Sequence, residues 1–161
     1  MYLGYTIADV VLMLQHRSLL SGLYLVHHFV GTLCGIAGTV YTSVPWIMST
    51  FLYYEASSPF VHLRVVLLNL GEKNSRLCTA NGLVLMTVFF LCRVAIIPAY
   101  WRTVYMLYID GSFPEIDGLV YYLMLYGRVF FDMLNLYWFS LMVRTFLAKF
   151  VWPKGATKIS D

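Results

Sequence analysis

Two adjacent imidazoles, His27 and His28, lie inside the apolar stretch Gly22–Tyr41, and a carboxylate, Glu55, lies inside the next one. A neutral imidazole can take a proton from an amine or attack a thioester carbonyl, so the histidine pair is a candidate base or nucleophile. A helix rises about 1.5 Å per residue and a bilayer core is about 30 Å thick, so roughly twenty residues carry the pair to membrane depth. Ionisable groups there are costly enough to be read as functional until a structural partner is named. Neighbouring helical residues point about 100° apart, which groups His28 with Thr32, Gly35 and Thr39, and His27 with Gly31, Cys34 and Gly38. Gly31, Gly35 and Gly38 form a small-residue strip that lets another helix come close, which predicts a place inside a bundle.

Glu55 stands in the run Tyr53-Tyr54-Glu55-Ala56-Ser57-Ser58-Pro59-Phe60, near the middle of an apolar segment from Trp46 to about Leu70. Proline removes a backbone donor and clashes one turn back, so a kink is predicted near Ala56 to Pro59. Ser57 and Ser58 can satisfy the carbonyls this frees. A kink does not need a carboxylate, however, so Glu55 stays a candidate for the site. His62 and Arg64 follow, and either can pair with an acid or snorkel to the interface.

The remaining buried-polar candidates read as structural. Asp9, alone in the segment Met1–Gln15, is expected to face the bundle and meet a neighbouring helix, because an unpaired charge in oil costs several kcal/mol. Asn81 falls early in the segment Leu77 to about Ile97 and Arg93 late in it. Two readings of Arg93 stay open: a snorkelling end residue, or a buried partner for a carboxylate. Pro98 closes or bends that segment, and Tyr100–Gly118 reads as an aromatic and acidic connection. On the last segment, Leu119 to about Val143, Arg128 and Asp132 are four residues apart and can neutralise each other on one helix face, with Asn135 just beyond.

Composition frames these residues. The chain has 161 residues, 60% hydrophobic and 12% charged, with a mean hydropathy of +0.73. Soluble domains carry about one quarter charged residues, so the composition reads as a polytopic membrane protein of about five helices. Thirteen Tyr, eleven Phe and four Trp suit interfacial belts. The net charge of +3 requires no nucleic acid, and Cys34, Cys78 and Cys92 lack metal-ligand spacing and read as packing thiols. Phosphate-loop, nucleophile-elbow and metal motifs are missing, so no metal and no bound cofactor are expected. The amino-terminal segment has neither basic region nor cleavage site, so it reads as a short helix: a full span extended by Gln15 and His16, or the continuation of a longer domain.

If five segments alternate sides, Arg17, Lys73, Arg76, Arg144, Lys149, Lys154 and Lys158 share one side, against Arg102 alone on the other. By the positive-inside rule the tail is expected in the cytosol. The domain reading is a transmembrane domain over residues 1–150 followed by a basic cytosolic tail, 151–161.

Several motifs in order carry a family resemblance: His27-His28; Glu55 with Ser57-Ser58-Pro59-Phe60; Asn81-Gly82 with Met86-Thr87, Phe89-Phe90, Arg93 and Pro98; and Asp132-x-x-Asn135. Together they resemble the TLC-domain family, which joins translocating-chain-associating proteins, the longevity-assurance ceramide synthases and ceroid-lipofuscinosis relatives. They resemble its TLC-domain-containing subgroup more than the synthases. Synthases carry an Asp before the histidine pair and later a His-Asp-x-x-Asp string. The corresponding positions here read Leu20-Ser21-Gly22, Tyr54, Glu55 and Ser58, so one acid of that set remains.

The resemblance implies an all-α, multi-pass transmembrane bundle that lacks the helices which usually precede this part of the domain. It implies an endoplasmic-reticulum location, with the plasma membrane as the alternative, and membrane lipids as partners, alone or in a homo- or hetero-oligomer. The leading functional expectation is membrane lipid homeostasis, in which Asp9, Ser57, Ser58, Arg64, Asn81, Arg93, Arg128, Asp132 and Asn135 form a lipid-binding or structural polar core. The alternative is a sphingolipid N-acyltransferase of ceramide-synthase type with acyl-CoA as co-substrate. There His27 or His28 would act and Glu55 would orient it. A cargo or scaffold protein recognised through its charged tail is the third reading.

Overall fold

The structure, a computed structural model, describes residues 2–15, 22–40, 50, 52–112 and 118–151. The expected connections at Arg17, at residues 41–45 and at Glu115–Asp117 lie outside these residues, as do the start of the third segment and the tail cations Lys154 and Lys158.

Every regular element among the described residues is helical. Helix α1 spans Tyr2–Gln15 and α2 spans Gly22–Val40, and the two pack against each other. A 3-10 turn, Glu55–Ser57, leads into α3, Ser58–Asn69. Helix α4 covers Arg76–Phe89 and is extended by a π turn, Phe90–Val94, into α5, Ile97–Ile109. A short α6, Gly118–Tyr122, passes through a second π turn, Leu123–Gly127, into α7, Arg128–Phe150.

Local chemistry explains the joints. Pro59 falls in the first turn of α3, where its missing N–H has no helical partner to lose, so the predicted kink takes the form of the 3-10 turn before it. The Ser57 hydroxyl donates to the Tyr54 carbonyl at 3.2 Å, the role foreseen for it, whereas Ser58 donates to Glu55 Oε2 at 2.6 Å. Pro98 likewise opens α5, so the helical run continues to Ile109 through part of what the sequence presented as a connection. Helix α3 ends in a Schellman motif, with Gly71 at φ 79° and bonds from Glu72 N to Leu67 O and from Gly71 N to Leu68 O. Ser75 then caps α4 by accepting from Cys78 N at 3.0 Å. The tight turn lays α3 against α4, and Asn81 Nδ2 locks the pair by donating to Phe60 O at 2.9 Å.

The run Arg76–Ile109, 34 residues, is long and apolar enough to cross a membrane, and among the described residues it is the one helix that meets both tests. The core mixes apolar residues with an unusual share of polar and charged ones, and many large apolar side chains are exposed. Phe29, Leu70 and Met133 point outward, while Ser57, Asn81, Arg93, Arg128, Asp132 and Asn135 are buried. The polar centre lies where α3, α4, its π turn and α7 meet, with α2 closing one side through the second π turn.

A candidate lipid cavity at the polar centre

Arg93 organises the centre. The π turn replaces the usual helical bond with one from Ala95 N to Phe90 O at 2.8 Å, and this wider turn directs both Cys92 and Arg93 inward. The guanidinium Nε of Arg93 donates to Tyr54 O at 3.2 Å and to Ser57 Oγ at 3.0 Å, and Nη1 reaches Asn135 Oδ1 at 3.4 Å. It lies over the rings of Phe89 and Tyr54, at 5.0 and 5.9 Å from their centroids. Of the two roles the sequence left open, the structure gives neither: Arg93 is buried, and its acceptors are neutral.

The second cluster closes on itself. Arg128 Nε meets Asp132 Oδ1 at 2.7 Å, as the four-residue spacing predicted, and Trp101 Nε1 donates to the other carboxylate oxygen at 2.8 Å. The Arg128 guanidinium sits between two ring faces, 4.0 Å from Tyr100 and 5.2 Å from Tyr54. Tyr54 and Tyr100 are thus floor and wall of the polar centre, only 5% and 3% exposed, where composition alone assigned aromatics to interfacial belts.

Beside these clusters opens a cavity of about 330 Å³. Tyr24, His27 and His28 line it from α2, Glu55, Ser58, His62 and Arg64 from the α3 side, Leu85, Phe89 and Arg93 from α4 and its π turn, and Trp138 and Met142 from α7. The adjacent pair His27 and His28 and the distant Glu55 therefore face one space. His27 is held edge-on by Phe131 and Trp138, with ring centroids 5.1 and 5.2 Å away, and its buried Nδ1 has no hydrogen-bond partner among the described residues. His28 stacks edge-on with Tyr24 at 4.5 Å, and its Nε2 lies 3.6 Å from Asp9 Oδ2. Asp9 does meet a neighbouring helix, and the group it meets is the candidate histidine itself. The carboxylate of Glu55, given the orienting role by resemblance, accepts the Ser58 hydroxyl.

Sequence reasoning passed over Tyr24, Tyr54, Trp101 and Trp138. The available signal was spacing: Tyr24 precedes His28 by four residues and Trp138 follows Asn135 by three, on the same helix faces. Tyr54 and Trp101 come from elements remote from the groups they support, and no spacing reveals them.

The fold and its centre define a helical protein with an apolar exterior, a buried polar network and an adjoining cavity. The TLC-domain family profile matches residues 1–144. The chain belongs to the TLC-domain family, whose proteins are membrane-associated and generally concerned with membrane lipids. TLC domain-containing protein 4-B of Danio rerio is 27% identical over 143 residues, covering 88% of this chain and 54% of that protein. Topoisomerase I damage affected protein 4 of Saccharomyces cerevisiae is 30% identical over 154 residues, covering 88% and 52%. TLC domain-containing protein 4-A of Xenopus laevis is 26% identical over 151 residues, covering 89% and 56%. The chain therefore spans about half the length of the curated relatives it matches. No solved structure matches it.

Proposed function

We propose that this chain bears the lipid-binding cavity of a multi-pass membrane protein that serves lipid homeostasis. The observation that carries the reading is the shared cavity: His27, His28, Glu55 and Arg93 line it together with Leu85, Leu141 and Met142, so one space offers polar groups and apolar wall to an amphiphile. Its volume falls within the range of small-molecule sites, about 300–1,000 Å³. The outward-facing apolar side chains support a bundle immersed in lipid. The positive-inside count supports a cytosolic carboxyl terminus, and the resemblance supports the endoplasmic reticulum. No cofactor is required. Lipidomics of membranes after deletion of the gene tests the reading: an altered composition, restored by the wild-type gene and less so by an Arg93→Ala version, is expected. An unchanged composition would rule it out.

A second reading, acyl transfer from an acyl thioester to a long-chain amine, is favoured by the contact of His28 with Asp9. The imidazole would take the amine proton as the nitrogen bonds to the acyl carbon. The carbon–sulfur bond breaks, and the departing thiolate recovers the proton. A carboxylate behind the ring holds its orientation and stabilises the imidazolium, and Asp9 is better placed for this than the hydroxyl-bound Glu55. Acyl-CoA and long-chain bases incubated with wild type, His28→Ala, Asp9→Asn and Glu55→Gln decide it. The reading requires turnover that His28→Ala abolishes and Asp9→Asn reduces about a hundredfold or more, the scale of a misplaced catalytic group.

A further inference from the structure

We infer that the cavity selects lipids by a phosphate in the headgroup, and that Arg64 is the residue that holds it. This rests on the lipid-binding reading and adds the chemical class of the ligand. Among the side chains that line the cavity, charge does not balance. The lining carries two guanidinium groups, Arg64 and Arg93, against a single carboxylate, Glu55, whose Oε2 already takes the Ser58 hydroxyl. Of the acids just outside the lining, Asp132 is committed to Arg128 and Trp101, and Asp9 faces His28 Nε2 at 3.6 Å. Among the described residues neither Arg64 nor Arg93 has a carboxylate within 4 Å. An apolar setting strengthens the field of such uncompensated cations.

The two arginines divide the work. The donors described for Arg93 go to Tyr54 O, Ser57 Oγ and Asn135 Oδ1, which fixes it as a structural cation that keeps the inner end of the cavity positive. Arg64 is half-buried, lines the cavity and makes no hydrogen bond or ion pair with any described residue, so its planar fork of donors is uncommitted. Arg64 also stands where a headgroup can arrive. It lies five residues before the end of α3 and its polar turn, about 7 Å along the helix, whereas Arg93 is at the middle of the 34-residue run Arg76–Ile109. The guanidinium lies close to α4 at Gly82, where an added Cβ would come within 3.1 Å of its Nη1. A guanidinium fork matches the oxygens of a phosphate in two-point hydrogen bonding, which a compact ammonium does not.

The probe pair is dioleoyl phosphatidic acid and dioleoylglycerol, which share acyl chains and differ in the phosphate. Each is titrated onto the intact protein in detergent and bound lipid is read by native mass spectrometry, with inorganic phosphate as a separate arm. The expected result is preference for the phosphatidic acid of about tenfold or more, the weight of a charge-assisted contact. Arg64→Gln should remove the preference, Arg64→Lys should keep part of it, and Arg102→Gln, an exposed cation on α5, should keep all of it. Equal retention of both lipids, or a preference untouched by Arg64→Gln, overturns the phosphate inference while leaving a lipid cavity. Retention of neither lipid overturns the lipid-binding reading and this one with it. Binding of inorganic phosphate alone that is lost in Arg64→Gln, with no preference between the lipids, overturns the headgroup as source and leaves a site for free phosphate.

Discussion

Arg128 and Asp132 form a buried ion pair whose members also serve other groups: Arg128 covers the faces of Tyr100 and Tyr54, and Asp132 holds the indole N–H of Trp101. Charges of this kind are worth little as a pair compared with apolar residues of equal size, yet leaving one without the other strands it in a low-dielectric interior. Arg128→Met alone and Asp132→Leu alone are each expected to destabilise the protein by about 3–5 kcal/mol, and the double replacement by less than either. Unfolding in detergent followed by helical circular dichroism provides the three values. Additive losses would show that the pair is not coupled. Arg93 differs in kind, since its neutral acceptors and ring faces leave the charge itself uncancelled. This excess charge connects the structural network to the cavity.

Besides the 3-10 turn at Glu55–Ser57, the elements place these residues through two π turns. At Phe90–Val94 the wide turn buries the adjacent residues Cys92 and Arg93, and at Leu123–Gly127 it brings Gly127 to α2, where an added Cβ would meet Cys34 Sγ at 3.4 Å. Such turns recur at functional sites because they re-aim side chains without ending the helix. Gly82 plays the opposite part, within regular helix. Alanine there should gain helix propensity of about 1 kcal/mol and displace only the far end of the Arg64 side chain. Gly82→Ala is therefore expected to unfold at an equal or higher temperature while retaining less phosphatidic acid. A loss of stability would mean that the contact with Arg64 is rigid rather than yielding.

For the whole molecule the distribution of polarity is the informative quantity. Polar side chains converge on the interior while Leu14, Phe29, Leu70 and Met133 face outward, an arrangement that water would penalise and lipid rewards. The protein is expected to stay with the membrane pellet after an alkaline carbonate wash and to enter solution only with detergent. Release by carbonate alone would contradict an embedded bundle. The face of α1 and α2 not used between them is also apolar, with Leu12, Val26 and Ile36 exposed.

Helix content, the apolar exterior and the polar positions were legible from the sequence, because periodicity and transfer cost act residue by residue. His27, His28, Glu55 and Arg93 could be singled out because each is expensive in oil wherever it lies, and the Arg128–Asp132 pair because four residues bring both to one face of any helix. Which groups meet across helices was decided only by the tertiary structure. That Asp9 reaches His28, that Tyr54 supports two guanidinium groups, and that Arg64 looks into the cavity depend on how helices from distant parts of the chain are rotated against one another. A π turn changes such a rotation by a fraction of a turn, and local sequence preference carries no record of the partner it then meets.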